Sequence, residues 1–129
     1  MKSFYSLISL FYSTFFIINA QEVSTFAGSS KGYFDDIGIN AKFGEPNGIC
    51  ADSNGNLYIV DTFNKKIRKV DILTNQVTTL AGSSSGYLDG IGTSAKFNGP
   101  TGICIDQYDN LYIADSGNNK IRKIVVSTG

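Results

Sequence analysis

Asp61, Asn64 and Arg68 stand in one short stretch of the sequence, and Asp115, Asn118 and Arg122 stand in another at the same mutual spacing. A carboxylate, a carboxamide and a guanidinium so placed could ring a polar ligand, or they could satisfy one another and the backbone of a tight turn, as Asp and Asn side chains commonly do. Because the trio recurs, the turn is the reading for the Asp and Asn. Arg68 and Arg122 follow Ile67 and Ile121 in a half-buried strand, so each is expected to pair with a nearby carboxylate and tie neighbouring units together. A second set of carboxylates, Asp35, Asp36, Asp89 and Glu45, could serve a calcium-dependent hydrolase, yet Gly99 stands in copy two where Glu45 stands in copy one. The run Asp52-Ser53-Asn54-Gly55-Asn56 begins like a calcium loop but lacks the later bidentate Glu, so a hairpin turn is expected there.

Other chemistries lack their residues. The chain has no histidine, so a zinc site would have to be built from Cys50, Cys104 and carboxylates. No base of the usual type stands ready to activate Ser or Cys, and no Gly-x-Ser-x-Gly turn occurs. The expectation is therefore no catalytic, metal or cofactor-binding residue, and a protein that is not an enzyme.

The elements that position these residues come from duplication. A constant step of 54 residues carries Val23 to Val77, Gly28 to Gly82, Phe43 to Phe97, Pro46 to Pro100, Cys50 to Cys104, Asp61 to Asp115 and Arg68 to Arg122, without insertion or deletion. Such repetition takes precedence over every other sequence signal. Within a copy the pattern has period two: "GICAD" and "NLYIVD" flank an Asn-Gly turn, "KIRKVDI" follows, and "LTNQ" leads into "VTTLAG". Asn54 and Gly55 both tolerate positive φ, which makes the pair a hairpin signal. No stretch from residue 21 onward keeps an apolar period of 3.6, so four short antiparallel strands per copy are expected and no helix. A Gly/Ser-rich connection then leads into the next copy.

Four-stranded units at this spacing suit the blades of a β-propeller, each sheet buried on both faces by its neighbours. The first strand, apolar on consecutive residues, is expected to be covered on both sides. "FGEPNGICADSNGNLYIVDTFNKKIRKVD" and "FNGPTGICIDQYDNLYIADSGNNKIRKIV" resemble the NHL repeat, and the flanking "G-Y-x-D-x-I-G-x-x-A-K-F" and "TTLAG" are similar to its extended form in secreted and cell-surface proteins such as teneurins. The resemblance implies an all-β propeller, usually of six blades, with residues 23–76 and 77–129 as two repeats and the second lacking its outermost strand. Residues 23–28, "VSTFAG", are then an outermost strand without a blade of their own. Two blades do not close a ring. Either the chain is part of a longer propeller, or copies self-associate, three of them making six blades.

In a propeller the long connection (residues 29–46 and 83–100) and the loop between strands two and three emerge on one face, where recognition usually resides. Asp35, Asp36, Phe63, Asn64, Asp89 and Asn118 are the candidate binding residues, for an unidentified protein or glycan; Tyr33, Tyr87, Phe43 and Phe97 are expected to be packing anchors. "KKIRK" reads as a solvated blade edge. Cys50 and Cys104 share a position in successive innermost strands. Packed sheets lie about 10 Å apart and a disulfide needs Cα atoms within about 7 Å, so two buried free thiols are expected.

Lys2, the apolar run over residues 4–18 and Ala20 resemble a cleavable secretory signal, too short and too interrupted by Ser and Thr for a spanning helix. Its removal leaves a secreted chain, residues 21–129, with one net negative charge and no membrane insertion. No basic surplus favours nucleic acid, and no N-glycosylation sequon occurs. The alternative function is a fragment of a metal-dependent propeller hydrolase or lyase.

Overall fold

A computed structural model describes residues 20–126. The expected leader falls on residues that lie, but for Ala20, outside the described ones, as do residues 127–129 at the end of the second repeat. Seven strands follow in chain order: β1 (Pro46–Ala51), β2 (Leu57–Asp61), β3 (Lys66–Val70), β4 (Val77–Ala81), β5 (Pro100–Ile105), β6 (Asn110–Asp115) and β7 (Lys120–Val125). They form a four-stranded sheet in the order β1-β2-β3-β4 and a three-stranded sheet in the order β5-β6-β7. All neighbours are antiparallel. Between the sheets and before the first lie 3-10 turns at Gly38–Asn40 and Gly92–Ser94, with a third at Ser116–Asn118. These are two propeller blades, all-β as the repeat implies.

The strands begin and stop for local reasons. β3 is shorter than expected, because Asp71 Oδ1 accepts the amides of Leu73 and Thr74, each at 3.0 Å, and bends residues 71–72 into the turn. In the β1–β2 turn Gly55 has positive φ (89°) and Asn54 does not. Its counterpart in the second blade is Asp109, at φ 60°. Both turns are instead set by a carboxylate: Asp52 accepts the amides of Asn54 and Asn56, and Asp106 those of Tyr108 and Asn110, all at 2.9 Å.

The main core is the seam between the blades. Tyr58, Val60, Ile67 and Ala81 of the first blade meet Phe97, Leu111 and Ile113, with Cys50, Ile103 and Ile124 packed around them. Each aliphatic side chain buried there contributes about 1.5–3 kcal/mol. A smaller cluster of Ala41, Ile59, Val70 and Val77, with Phe43 and Leu57 beside it, lies on the other face of the first blade. The step of 54 turns Ile59, Val70 and Ala41 into Ile113, Ile124 and Ala95, so this cluster is the same half-core without a blade against it.

Four expectations are corrected by this arrangement. β1 is not covered on both faces: Ile49 is 61% exposed, since no blade precedes it among the described residues. The cysteines are free, but Cys50 is half-buried and Cys104 exposed, because Cys50 faces the seam and Cys104 the open side of the second blade. "KKIRK" is not a blade edge in the first copy: β3 lies between β2 and β4, and Arg68 is wholly buried. The expected outermost strand over residues 23–28 is absent: the segment forms no strand, and Val23 is 96% exposed.

Candidate ligand-binding face

Asp61 ends β2 with its carboxylate fully buried. It accepts the Gly44 amide at 2.7 Å, the Asn64 side-chain amide at 2.9 Å and Arg68 Nη1 at 2.6 Å. Arg68 donates further to the Lys42 and Phe34 carbonyls and to Asp35 Oδ1, each at 3.0 Å. Its guanidinium carbon lies 5.0 Å from the Tyr33 ring centre and 4.9 Å from that of Phe43. A charge withdrawn from water in this way is tolerable only when its hydrogen bonds are made. No buried side-chain polar atom among the described residues lacks a partner.

The second blade repeats the motif. Asp115 accepts the Asn98 amide, the Asn118 amide and Arg122 Nη1 at 2.8, 2.8 and 2.9 Å, and Arg122 lies between Tyr87 and Phe97. Asn64 and Asn118 also donate to the Gly32 and Gly86 carbonyls, joining the β2–β3 and β6–β7 loops to the long connections. Chemically these groups are occupied. A carboxylate surrounded by donors is neither a base nor a nucleophile, and the trio works as a clamp on the blade.

The long connection does not stay on the loop face throughout. After Phe34 it turns down the outer side of β4: Val77 donates to the Asp36 carbonyl at 2.9 Å, Ile37 bridges Gln76, and Gly38 donates to Asn75 at 2.9 Å. Asp35 thus points into the blade, where it takes the Thr79 amide at 3.0 Å and the Thr79 hydroxyl at 2.9 Å as well as Arg68. Asp36 Oδ1 accepts the adjacent Ile37 amide at 2.7 Å. In the second blade Asp89 pairs with Arg122 at 2.7 Å, but its side chain is 76% exposed against 34% for Asp35, since no fourth strand stands beside it. The Asp35–Thr79 link escaped sequence reasoning. A signal existed, because Thr79 recurs as Thr25 at the 54-residue step.

What remains free at the loop end of the first blade is Phe63, 51% exposed, with the ammonium groups of Lys31 and Lys65 at 4.2 and 4.9 Å from its ring centre. Lys31 also meets Glu45 at 2.8 Å. The equivalent of Phe63 is Gly117, and the left-handed Glu45 (φ 58°) is matched by Gly99 (φ 57°), so the second blade has none of this decoration. No group of three or more His, Cys, Asp or Glu among the described residues is placed to hold a metal ion.

The NHL repeat model matches residues 43–69 and 97–124. Human NHL repeat-containing protein 2 is 39% identical over 101 residues, covering 75% of this chain and 14% of that protein. Human teneurin-4 is 30% identical over 103 residues, 68% of this chain and 4% of its own length. Among solved structures, a Bacteroides thetaiotaomicron VPI-5482 structural genomics protein of unknown function matches with a TM-score of 0.72 and 40% identity, over 76% of this chain and 26% of that one. An auxiliary nutrient binding protein of the same bacterium matches with a TM-score of 0.67 and 29% identity, over 76% and 27%. The chain therefore spans about a quarter or less of the proteins it resembles. With two matched repeats folded as two blades, it belongs to the NHL-repeat family.

Proposed function

We propose that the chain supplies two blades of a secreted, non-enzymatic propeller of six blades that binds a protein or carbohydrate through its loop face. The observation that carries the reading is Phe63: an exposed ring flanked by two ammonium groups, on a face whose repeated polar residues are otherwise engaged in holding the blade. An aromatic edge beside cations suits a ligand with an anionic group on an apolar or sugar framework. Asp36 and Asp89 lie off this face, on the outer side of β4 and beside Arg122, and are left out of the proposed contact. The nutrient-binding neighbour and the teneurin relative support an extracellular binding role. No helix among the described residues is long and apolar enough to cross a membrane.

The test is retention on an acidic polysaccharide, polygalacturonate, against neutral dextran, for the wild-type chain and for Phe63→Gly, which copies the second blade. Retention on the acidic matrix that falls about two- to fivefold in the variant supports the reading, in line with the strength of exposed cation and aromatic contacts. Equal retention of both proteins counts against Phe63 as the anchor. Secretion is checked separately: N-terminal sequencing of the protein from the medium should begin at Gln21.

A further inference from the structure

Beside β7 lies a groove of about 470 Å³, lined by Arg122, Lys123 and Ile124 on one side and by Asp89, Gly90 and Ile91 on the other, with Phe97 at its floor. The first blade shows what such a groove holds. There the corresponding walls are β3 and residues 35–38, and β4 runs between them, pairing Arg68 with Thr79 and Val70 with Val77. On its other side Val77 donates to the Asp36 carbonyl and Thr79 to the Asp35 carboxylate through both amide and hydroxyl. The filled groove thus recognises a strand by main-chain pairing on two sides and reads one side chain, a threonine, with a carboxylate. Main-chain pairing supplies affinity and the side-chain contact supplies selection in recognition of this kind.

A similar sequence occurs once more. Residues 23–28 read Val-Ser-Thr-Phe-Ala-Gly against Val-Thr-Thr-Leu-Ala-Gly over residues 77–82, in no ladder and exposed over residues 23–26, while Ala27 and Gly28 rest on the first blade, the Gly28 amide donating to the Gly38 carbonyl at 3.1 Å as that of Gly82 does to Gly92 at 3.2 Å. Gly28 and Gly82 even share their left-handed conformation, with φ of 100° and 96°. We propose that the groove beside β7 is an acceptor for residues 23–28 of a second copy of this chain, with Asp89 taking the amide and hydroxyl of Thr25 as Asp35 takes those of Thr79. The donor cannot be the same molecule's own segment in the first blade's groove, since β4 already occupies it.

The faces behind the strands agree with this pairing. In one molecule Cys50, Tyr58, Val60 and Ile67 meet the Ile103, Leu111 and Ile113 face of the next blade. At the open end of the second blade the same positions are Cys104, Tyr112, Ala114 and Ile121, and Ile121 is 72% exposed where Ile67 is buried. At the open end of the first blade stand Ile49, Leu57 and Ile59, the counterparts of Ile103, Leu111 and Ile113. A donated strand therefore carries behind it the blade face that fits. Contacts of this head-to-tail kind close into a ring when the rotation allows.

The experiment expresses the full chain and measures its mass by light scattering across concentration, beside Thr25→Pro, Thr25→Val, Asp89→Asn and the Thr25→Val/Asp89→Asn double variant. Thr25 is exposed and unladdered, so its proline variant keeps the strand content of the blades by circular dichroism while losing the donated amide. A discrete closed oligomer is expected, with its midpoint moved at least about tenfold to higher concentration by Thr25→Pro and about fivefold by either single polar change. The double variant should be no worse than the singles. A peptide copying residues 21–30 should dissociate the oligomer, and the Cys104 thiol should be protected in the oligomer and open in Thr25→Pro. A monomer at every concentration, a polydisperse aggregate, or an oligomer indifferent to Thr25→Pro would each overturn the proposal. None of these outcomes depends on what the loop face binds.

Discussion

Tyr58, Val60 and Ile67 have no exposure, while Ala114 is half-buried and Ile121 largely open, though they occupy the same positions one repeat apart. Nothing in the strand itself accounts for this. Burial in a blade is conferred by the next blade, so equivalent residues carry different energies according to their place in the series, as in other repeat arrays.

The sharpest break of that comparison is at the clamp. Arg68→Met leaves Asp61 buried with its charge uncompensated and should cost about 3–5 kcal/mol in urea unfolding. The same change at Arg122, whose second carboxylate, Asp89, is mostly in water, should cost less. Equal losses would mean that exposure of the second partner is irrelevant. Next come the apolar positions: Ile67→Ala should lose about 2–5 kcal/mol, and Ile121→Ala, 72% exposed, under about 1 kcal/mol in a chain kept from associating.

The thiols sharpen the comparison without altering stability. Burial above all, then the charges of Cys104 and Asp52, pushes the Cys50 thiol up to about 11. In Thr25→Pro at pH 8, Cys104 should react with a disulfide reagent at least about tenfold faster than Cys50, because the Cys50 thiol is pushed up and half-buried while Cys104 is exposed; mass mapping of the first labelled peptide decides. The smallest effect is at the turns. The Asn110 side-chain amide first, against a burial cost, together with the Asn110 and Tyr108 amides and the Tyr112 hydroxyl, holds Asp106 at about 2. A carboxyl depressed on folding stabilises above its unfolded value of about 3.9 and loses that contribution as pH falls toward the folded one. Melting temperature should therefore drop between about pH 4 and pH 2, and less steeply in Asp106→Asn. Asp52 is lowered too, its bonds from Asn56, Tyr58 and Asn54 outweighing burial, so the first blade should share the acid limb.

The blades were legible because a strict repeat and period-two strands are local signals. A turn role for Asp61 follows from the habit of short polar side chains after a strand, whereas Asn64, offered as a binding residue, donates to Asp61 and to the Gly32 carbonyl. Exposure was not legible: Ile49 and Cys104 are apolar positions in strands of the expected type, and only the three-dimensional series shows that they face outward. The path of residues 35–38 was hidden for another reason. Glycine-rich segments carry little periodicity, and the Asp35–Thr79 bond spans 44 positions. Phe63 was visible as a difference between copies, but its flanking lysines come from two loops.

The seam is fastened at both ends. Thr62 Oγ1 bonds the Pro100 carbonyl at 2.8 Å beside the loop face, and Ser53 Oγ bonds Asp109 at 3.1 Å at the opposite turns. Together with the buried seam between them, the two fasteners resist both opening and sliding of one blade on the other, which favours an angle set on folding. A molecule resting on the loops of both blades would meet a footprint of fixed spacing, and the entropy of bringing two rigid surfaces into register would already have been spent.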